Sequence, residues 1–164
     1  KVTAPVTIIH NGKEAIFIFE NDIFRCRLLE GIYPKYNNII PINNHNTAII
    51  ERDSLLSTIK RVGLFSSVAN GIIELNFSEN KLDVSGQDID FSTSAKENLP
   101  CSYSGDNIKI GFKCEYLKQI LENGTSKEIA FQMKDCSIAV IIKPVTEDDK
   151  IENLSLLIPM MLGA

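Results

Sequence analysis

The residue types that most often do chemistry are sparse in this chain and stand far apart. It has 164 residues with two histidines, His10 and His45, and four cysteines. Neither histidine has a partner at the H-x-x-x-H or H-E-x-x-H spacing of zinc sites, and no C-x-x-C pair, G-x-S-x-G motif or phosphate loop occurs. We therefore expect no catalytic site, no metal site and no cofactor.

The remaining reactive groups have simpler interpretations. Isolated cysteines in a cytosolic protein are usually small buried hydrophobic residues, and a cysteine nucleophile working with a histidine is the enzyme alternative. The acidic pairs Asp88/Asp90 and Asp148/Asp149 lie in polar sequence, which indicates solvated charge rather than a general acid and base. The four cysteines are Cys26, Cys101, Cys114 and Cys136.

The chain ends in an apolar run, Leu154–Leu162. A run this apolar is predicted to be held in a sheet, and Pro159 releases the last methionines from regular pairing because proline donates no backbone hydrogen bond. Flexible methionines at the rim of a sheet form an adaptable apolar surface for a partner's side chains. The alternative is a last core strand with a frayed tip.

The first part of the chain predicts three strands without helices. Alternating apolar residues indicate strands at Val6–His10, Ala15–Glu20 and Ile23–Leu29, with tight turns at Asn11-Gly12 and Asn21-Asp22. Such a sheet exposes an apolar face that a complete domain would cover.

The rest of the chain predicts two helices among eight strands, in the order β-α-β-β-β-β-α-β-β-β. One helix begins at a cap on Asp53 or Ser54 and runs to about Ser66, and the other covers about Lys113–Asn123 and stops at a left-handed Gly124. The strands are predicted at Asn46–Ile50, Gly71–Phe77, Lys81–Gln87, Phe91–Ser104, Ile108–Phe112, Glu128–Met133, Ser137–Lys143 and Leu154–Met160. Pro100 is expected to interrupt the long polar strand Phe91–Ser104. Each helix has one apolar stripe, so both should pack on one face of the sheets, in an α+β fold.

Three segments in this order resemble the bacterial sliding clamp, the β subunit of the replicative DNA polymerase. They are Leu29–Pro41, with its Gly31 and Tyr-Pro-Lys-Tyr sequence, Ile108–Leu117, with Gly-Phe before a helix that carries a tyrosine, and the Pro-Met-Met-Leu ending. The hairpin Leu75–Leu82 falls at a matching place between them. The resemblance covers nearly the whole chain.

The resemblance implies a DNA-clamp fold and a fragment. Clamp subunits have three similar domains in a chain more than twice as long. Residues 1–29 match the C-terminal part of the second domain, 30–45 match the interdomain connector, and 46–164 match the complete third domain.

The resemblance also implies a function: a cytoplasmic, non-enzymatic processivity factor that encircles duplex DNA as a ring. It would hold DNA topologically with weak direct contact, which agrees with a net charge of −4, since that charge argues against simple adhesion to nucleic acid. Lys60, Arg61 and Lys118 would line the DNA channel. The alternative is that they form only the solvated face of the helices, which the acids beside Lys118 favour. No apolar run approaches the roughly 18 residues of a membrane span, so we expect no membrane partner. The non-enzyme alternative is a stand-alone β-rich adaptor or ligand-binding module unrelated to replication.

Two protein-binding surfaces are implied as well. Full-length subunits would form a homodimeric ring, for which Leu64 and Phe65 supply the apolar patch and Phe91–Ser104 the edge strand. The replicative polymerase, the clamp loader and repair proteins would bind through short peptides. Asn38 and Met161 stand where basic residues are often found, which predicts weaker polar anchoring. The implied peptide groove consists of Pro34, Asn38, Ile39, Lys113, Tyr116, Ser137, Ala139, Leu156, Leu157, Ile158, Pro159, Met160, Met161 and Leu162.

Overall fold

The computed structural model describes residues 5–67, 69–146 and 153–162. The chain divides into two compact units between Lys35 and Tyr36, a division that lies inside the predicted connector. The acidic pair Asp148/Asp149 lies outside the described residues. Each unit is described by itself.

The first unit is an antiparallel sheet of three strands in the order β1-β2-β3, and its members are β1 Thr7–His10, β2 Glu14–Phe19 and β3 Asp22–Arg27. The three predicted strands are confirmed, but both turns are displaced by one residue. The first lies at Gly12 and Lys13, because the Asn11 side chain accepts hydrogen bonds from the backbone amides of Lys13 and Glu14. The second lies at residues 20–21.

Apolar side chains of the first unit remain exposed, as the sequence predicted. Ile8, Phe17 and Phe24 are directly opposite one another on the three strands and therefore share one face. The rings of Phe17 and Phe24 lie 5.9 Å apart. Ile8 and Phe24 are both more than half exposed. The first unit therefore has an exposed apolar face, and its assignment to part of a larger domain stays a prediction.

The second unit is built from two antiparallel sheets and two helices. The strand order is β12-β11-β10-β4-β8 in one sheet and β7-β6-β5-β9 in the other. The elements are β4 Asn46–Glu51, α1 Arg52–Val62, β5 Ile72–Ser78, β6 Lys81–Asp88, β7 Thr93–Pro100, β8 Ser102–Tyr103, β9 Ile108–Lys113, α2 Cys114–Asn123, β10 Glu128–Met133, β11 Val140–Pro144 and β12 Ser155–Leu157.

The two sheets and both helices enclose one hydrophobic core. Phe77 of β5 joins the sheets, because its ring lies 5.9 Å from Phe131 of β10 and 6.0 Å from Tyr103 of β8. The helices bury one stripe each, which on α2 is Leu117 and Leu121. The stripe on α1 consists of Leu55, Thr58, Ile59 and Val62. The predicted α+β architecture is therefore confirmed.

The predicted strand Phe91–Ser104 is interrupted at Pro100, as expected, but it is not one element. Its two halves are separate strands in different sheets, with β7 pairing with β6 and β8 with β4. The chain changes sheets just after Pro100, where Cys101 donates its backbone N–H to Asn80 instead of continuing the ladder. The described part of the second unit therefore has nine strands.

The predicted start of α1 and the predicted end of α2 need correction. Helix α1 is capped by Glu51, whose carboxylate accepts from the Ser54 backbone amide, and a 3-10 turn at Gly63–Phe65 follows it. Gly124 has a φ of −74° and is not left-handed. The end of α2 is satisfied instead by the Arg52 guanidinium, which donates a 2.9 Å hydrogen bond to the Leu121 carbonyl.

The strands near the C-terminal end are shorter than predicted. Strand β11 begins at Val140 rather than Ser137, because the Asp135 carboxylate accepts from the amides of Ser137 and Ile138 and holds that segment in a turn. Strand β12 covers only Ser155–Leu157.

Candidate functional site

Metal ligands and activated nucleophiles are the first candidates for a functional site. Among the residues that the structure describes, no group of three or more His, Cys, Asp or Glu side chains could hold a metal ion. Burial raises the pKa of the Cys101 and Cys114 thiols, so neither is an activated thiolate. Within the described ranges, no helix is long and apolar enough to cross a membrane. The candidate functional features are therefore surfaces.

The first surface is the C-terminal tail, residues 158–162, which leaves one sheet and reaches the other. Regular pairing with β11 stops at Leu157, and Pro159 follows. The Met160 amide then donates a 2.8 Å hydrogen bond to the Gly111 carbonyl at the outer edge of β9. The predicted release at Pro159 is confirmed, and so is the prediction that the run is held by sheets.

Gly111 allows the tail to approach β9. A Cβ atom at this position would lie 2.7 Å from the Leu162 Cδ2 atom and 2.8 Å from the Met160 carbonyl oxygen. Contacts below 3.0 Å are essentially never made by real side chains, so a larger residue would displace the tail. The Gly-Phe motif was visible in the sequence, but its reason is this packing.

A cleft of about 800 Å³ lies between α2 and the inner face of the five-stranded sheet. Tyr116, Leu156 and Leu157 line it, so the structure brings these three predicted groove residues together. Its volume falls within the range of about 300–1,000 Å³ that is typical of ligand pockets. Sequence reasoning missed the other members of its apolar lining, Ile120, Leu121, Ile129 and Ile142.

Tyr116 presents its ring at the start of α2. The side chain is 52% exposed, and the Lys113 Nζ atom lies 5.6 Å from the ring centroid. This is cation–π geometry, which holds the ring at the cleft and keeps a positive charge beside it. Both residues belong to the predicted groove.

Met161 and Leu162 line a different cleft. Its volume is about 870 Å³, and it lies on the outer face of the four-stranded sheet. Ile72 and Ile89 also line it. Met161 is 86% exposed. The predicted groove residues are therefore divided between two clefts, with Leu156 and Leu157 in the first and the tail residues Met161 and Leu162 in the second.

Asn44, in the predicted connector, is hydrogen-bonded to β10 and to the loop between β10 and β11. Its side-chain amide donates 2.9 Å hydrogen bonds to the carbonyls of Gln132 and Ala139. Of the predicted residues nearby, the Ser137 hydroxyl donates to Asp135. The sequence analysis missed Asn44, which is one polar residue in a polar connector.

The connector residues of the predicted groove lie in both units. Asn38 is in the 3-10 turn Tyr36–Asn38, and the Ile39 amide closes that turn on the Tyr36 carbonyl. Pro34 belongs to the first unit, whereas Asn38 and Ile39 belong to the second.

The second surface is an open sheet edge. Strand β7 is the outermost strand of its sheet, and the 3-10 turn that carries Leu64 and Phe65 packs against β6 and β7. Leu64 is 81% and Phe65 40% exposed. The structure also exposes Ile89 and Phe91 in the β6–β7 turn, which sequence reasoning missed although apolar residues in a turn are a signal for contact.

The third surface is the face of the two helices, where each predicted DNA-facing cation of α1 has an acidic partner. The Lys60 Nζ atom lies 2.8 Å from a carboxylate oxygen of Glu122 on α2. Arg61 donates two hydrogen bonds, of 2.8 and 2.6 Å, to the two carboxylate oxygens of Glu97 on β7. Lys118 of α2 is partly buried. The two acidic partners were missed because they are distant in sequence.

These pairs perturb the acids. The hydrogen bond from Arg61 lowers the pKa of Glu97, and a hydrogen bond from Thr58 lowers it further. The hydrogen bond from Lys60 lowers the pKa of Glu122, with a smaller contribution from the charge of Lys118. Both carboxylates are therefore ionised at neutral pH, and they oppose the positive charge of this face.

Comparison with known proteins gives a consistent result. The family model described as DNA polymerase III beta subunit, C-terminal domain, matches residues 37–160. The beta sliding clamp of Synechococcus elongatus is 25% identical over 144 residues, which are 85% of this chain and 38% of that protein. The beta sliding clamp of Rickettsia bellii is 27% identical over 150 residues, 85% of this chain and 39% of that protein. The chain thus spans about two fifths of the length of these relatives.

Solved structures show the same fold. A sliding clamp from Pseudomonas aeruginosa matches with a TM-score of 0.88 at 21% identity, covering 96% of this chain and 42% of that one. The DNA polymerase III subunit beta from Bartonella birtlesii, solved bound to griselimycin, has a TM-score of 0.88 at 25% identity, covering 96% and 41%. The antiparallel sheets with two helices are therefore those of the sliding-clamp fold.

Proposed function

This chain belongs to the family of the DNA polymerase III beta subunit, C-terminal domain, and on that premise we propose that it is the part of a sliding clamp that closes the ring and binds partner peptides. The clamp would encircle duplex DNA, act without catalysis and keep the replicative polymerase on its template. The observation that carries the proposal is the open edge of β7 with exposed apolar residues beside it.

The edge of β7 is suited to pairing with another subunit. An outermost strand offers unpaired backbone amides and carbonyls to a second chain. Leu64 and Phe65, next to it, would bury apolar surface at the same contact. The contact would be heterologous, with the edge meeting the first domain of another subunit, so that two full-length subunits close a ring.

The test of ring closure is Phe65→Asp in a full-length subunit that carries this sequence. A buried, unpaired carboxylate at the contact should convert dimers to monomers, as measured by light scattering. Leu29→Asp, at an exposed position of the first unit, is the matched control and should leave the dimer intact. A stable dimer despite Phe65→Asp would refute the interface. The 164-residue chain alone should neither form the ring nor stay on circular DNA.

Peptide binding is the second part of the proposal. A short peptide with leucine and aromatic side chains would place them against the cleft lined by Tyr116 and Leu156 and against the exposed tail. The tail supports this role because Met161 is almost entirely exposed while Met160 is anchored by its backbone. Adaptable methionine side chains on an anchored backbone can fit several peptides. The replicative polymerase, clamp loader and repair proteins are the proposed sources of such peptides.

The tail is tested by shortening the chain. Ending it after Ile158 removes the Met160 contact with Gly111 but keeps β12 and its buried Leu157. We expect calorimetric binding of a clamp-binding peptide to weaken at least tenfold, and ending the chain after Ser155 should abolish it. Removing Gly163 and Ala164 alone is the control and should change little. Unchanged binding by the chain that ends at Ile158 would refute the role of the tail.

DNA contact by the helix face is the third part. Lys60, Arg61 and Lys118 would face duplex DNA inside the ring and touch phosphates weakly. Topological enclosure removes the need for tight contact, which suits a protein that slides. Substituting all three by alanine should leave a loaded ring on circular DNA and should weaken the residual affinity for linear duplex.

A further inference from the structure

The acidic partners of Arg61 and Lys60 on the helix face are Glu97 and Glu122. Glu97 is held by three hydrogen bonds: two from Arg61 and one of 3.1 Å from the Thr58 hydroxyl. Thr58 is 0% exposed, and Arg61 in turn donates a 3.2 Å hydrogen bond to its hydroxyl. A buried hydroxyl that anchors the carboxylate fixes Glu97 in front of the guanidinium. The pair lies at the surface, with Arg61 60% and Glu97 32% exposed, but the Thr58 hydroxyl restricts the position of the carboxylate more than in a pair of two freely moving side chains.

Glu122 makes the corresponding contact for the lysines. It lies on α2 and binds Lys60 of α1, so it bridges the two helices at 2.8 Å. The charge of Lys118 also acts on it. One carboxylate therefore opposes both lysines of the predicted channel face.

We propose that Glu97 and Glu122 limit the contact of this face with duplex DNA by occupying Arg61 and Lys60. The inference rests on the proposed function and adds residues that regulate it. A phosphate must displace a positioned carboxylate before it can bind either cation. Each contact with DNA is weakened by that competition, which favours movement along the duplex over adhesion.

The chain supplies a matched control for net charge. Glu74 of β5 pairs with Lys109 at 2.9 Å, and its neighbours in the strand, Ile73 and Leu75, are buried in the core. Alternation along the strand places Glu74 on the outer face of the sheet. Glu74→Gln therefore frees one cation, Lys109, and makes the net charge one unit more positive, as Glu97→Gln and Glu122→Gln do, but away from the helix face.

The experiment measures the anisotropy of a labelled short duplex with the 164-residue chain over a range of salt concentrations. A freed cation that contacts one phosphate steepens the slope of log affinity against log salt by about 0.9. The fall in affinity between about 50 and 200 mM salt should then become about 3.5-fold larger for Glu97→Gln and for Glu122→Gln. Glu74→Gln should leave the slope unchanged. Adding Lys60→Ala to Glu122→Gln should reverse most of the steepening that Glu122→Gln causes.

The possible outcomes separate the inference from the function on which it rests. If the wild-type chain binds the duplex and both helix-face variants keep its slope, the inference is overturned and the channel face is not. If Glu74→Gln steepens the slope as much as the others, net charge is the cause and the inference is also overturned. If no variant binds the duplex, direct DNA contact by this face fails, and the inference fails with it. Thermal unfolding checks that each variant is folded, and Glu122→Gln provides the test if Glu97→Gln unfolds.

Discussion

Gly111→Ala should detach the C-terminal tail from β9. The added methyl group would lie 2.7 Å from Leu162 Cδ2 and 2.8 Å from the Met160 carbonyl oxygen. The second neighbour is backbone and cannot rotate away, so the tail must move. Because the Met160 amide bonds to the Gly111 carbonyl, the movement breaks that hydrogen bond too.

The magnitude follows from the two lost interactions. A backbone hydrogen bond contributes about 1 kcal/mol net. Leu162 is partly buried, and loss of about half the burial of a leucine side chain costs about 1 kcal/mol. The free energy of unfolding should therefore fall by about 2 kcal/mol, within the range of about 1–3 kcal/mol that is usual for overpacking.

Urea unfolding measures the change, and hydrogen exchange of the Met160 amide reports whether the tail is detached. Gly124→Ala is the comparison, because Gly124 has an ordinary negative φ and its nearest neighbour is the Arg52 Cδ atom at 3.3 Å. It should cost less than Gly111→Ala, since a shift of a few tenths of an ångström relieves that contact. In a Leu162→Ala background, Gly111→Ala should cost less, since one of its two clashes is gone. Wild-type stability together with full protection of the Met160 amide would refute this packing argument.

Three further changes test the core and its charges. Tyr103→Phe removes a 2.6 Å hydrogen bond to a backbone carbonyl and should cost about 1 kcal/mol in urea unfolding; a change near zero would contradict the importance of that bond. Hydrogen bonding by Lys81 lowers the pKa of Asp83, so its carboxylate stabilises the folded state above the ordinary aspartate pKa of about 3.9 and ceases to do so as pH falls below it. Asp83→Asn should therefore flatten the loss of stability on acidification, and an unchanged acid profile by circular dichroism would count against it. Arg52→Ala leaves the Leu121 carbonyl without its donor and should cost about 2 kcal/mol, whereas Arg52→Lys should cost less because an ammonium can replace part of that hydrogen bonding; equal losses for the two variants would contradict this.

Local pattern predicted most of the fold. Alternation and turn residues located the strands, and the apolar stripes located both helices, because these signals depend on neighbours within a few residues. The errors arose where distant residues decide the local structure. Gly124 was predicted to be left-handed, but Arg52, 72 positions earlier, satisfies the end of α2. The interruption of residues 91–104 at Pro100 was predicted from the sequence, but the sheet that each half joins depends on distant partners, and no local pattern encodes that.

The candidate site was less accessible from sequence. The motif at Gly111 was recognised through a resemblance, but its cause is a contact with Leu162 that only the folded chain shows. The acidic partners of Arg61 and Lys60 lie 36 and 62 positions away, on β7 and α2. Cations on a helix could thus be predicted, but not their neutralisation.

The fold links the three proposed surfaces through few elements. Strand β7 supplies the open edge for ring closure and also carries Glu97, which holds Arg61 on the helix face. Helix α2 supplies Tyr116 to the peptide cleft and Glu122 to the same face. A subunit contact that moves β7, or a peptide that moves α2, would therefore change the charge available to DNA. On the proposed function such coupling would be reciprocal, and release of Arg61 from Glu97 would be the local event that links ring closure to DNA contact.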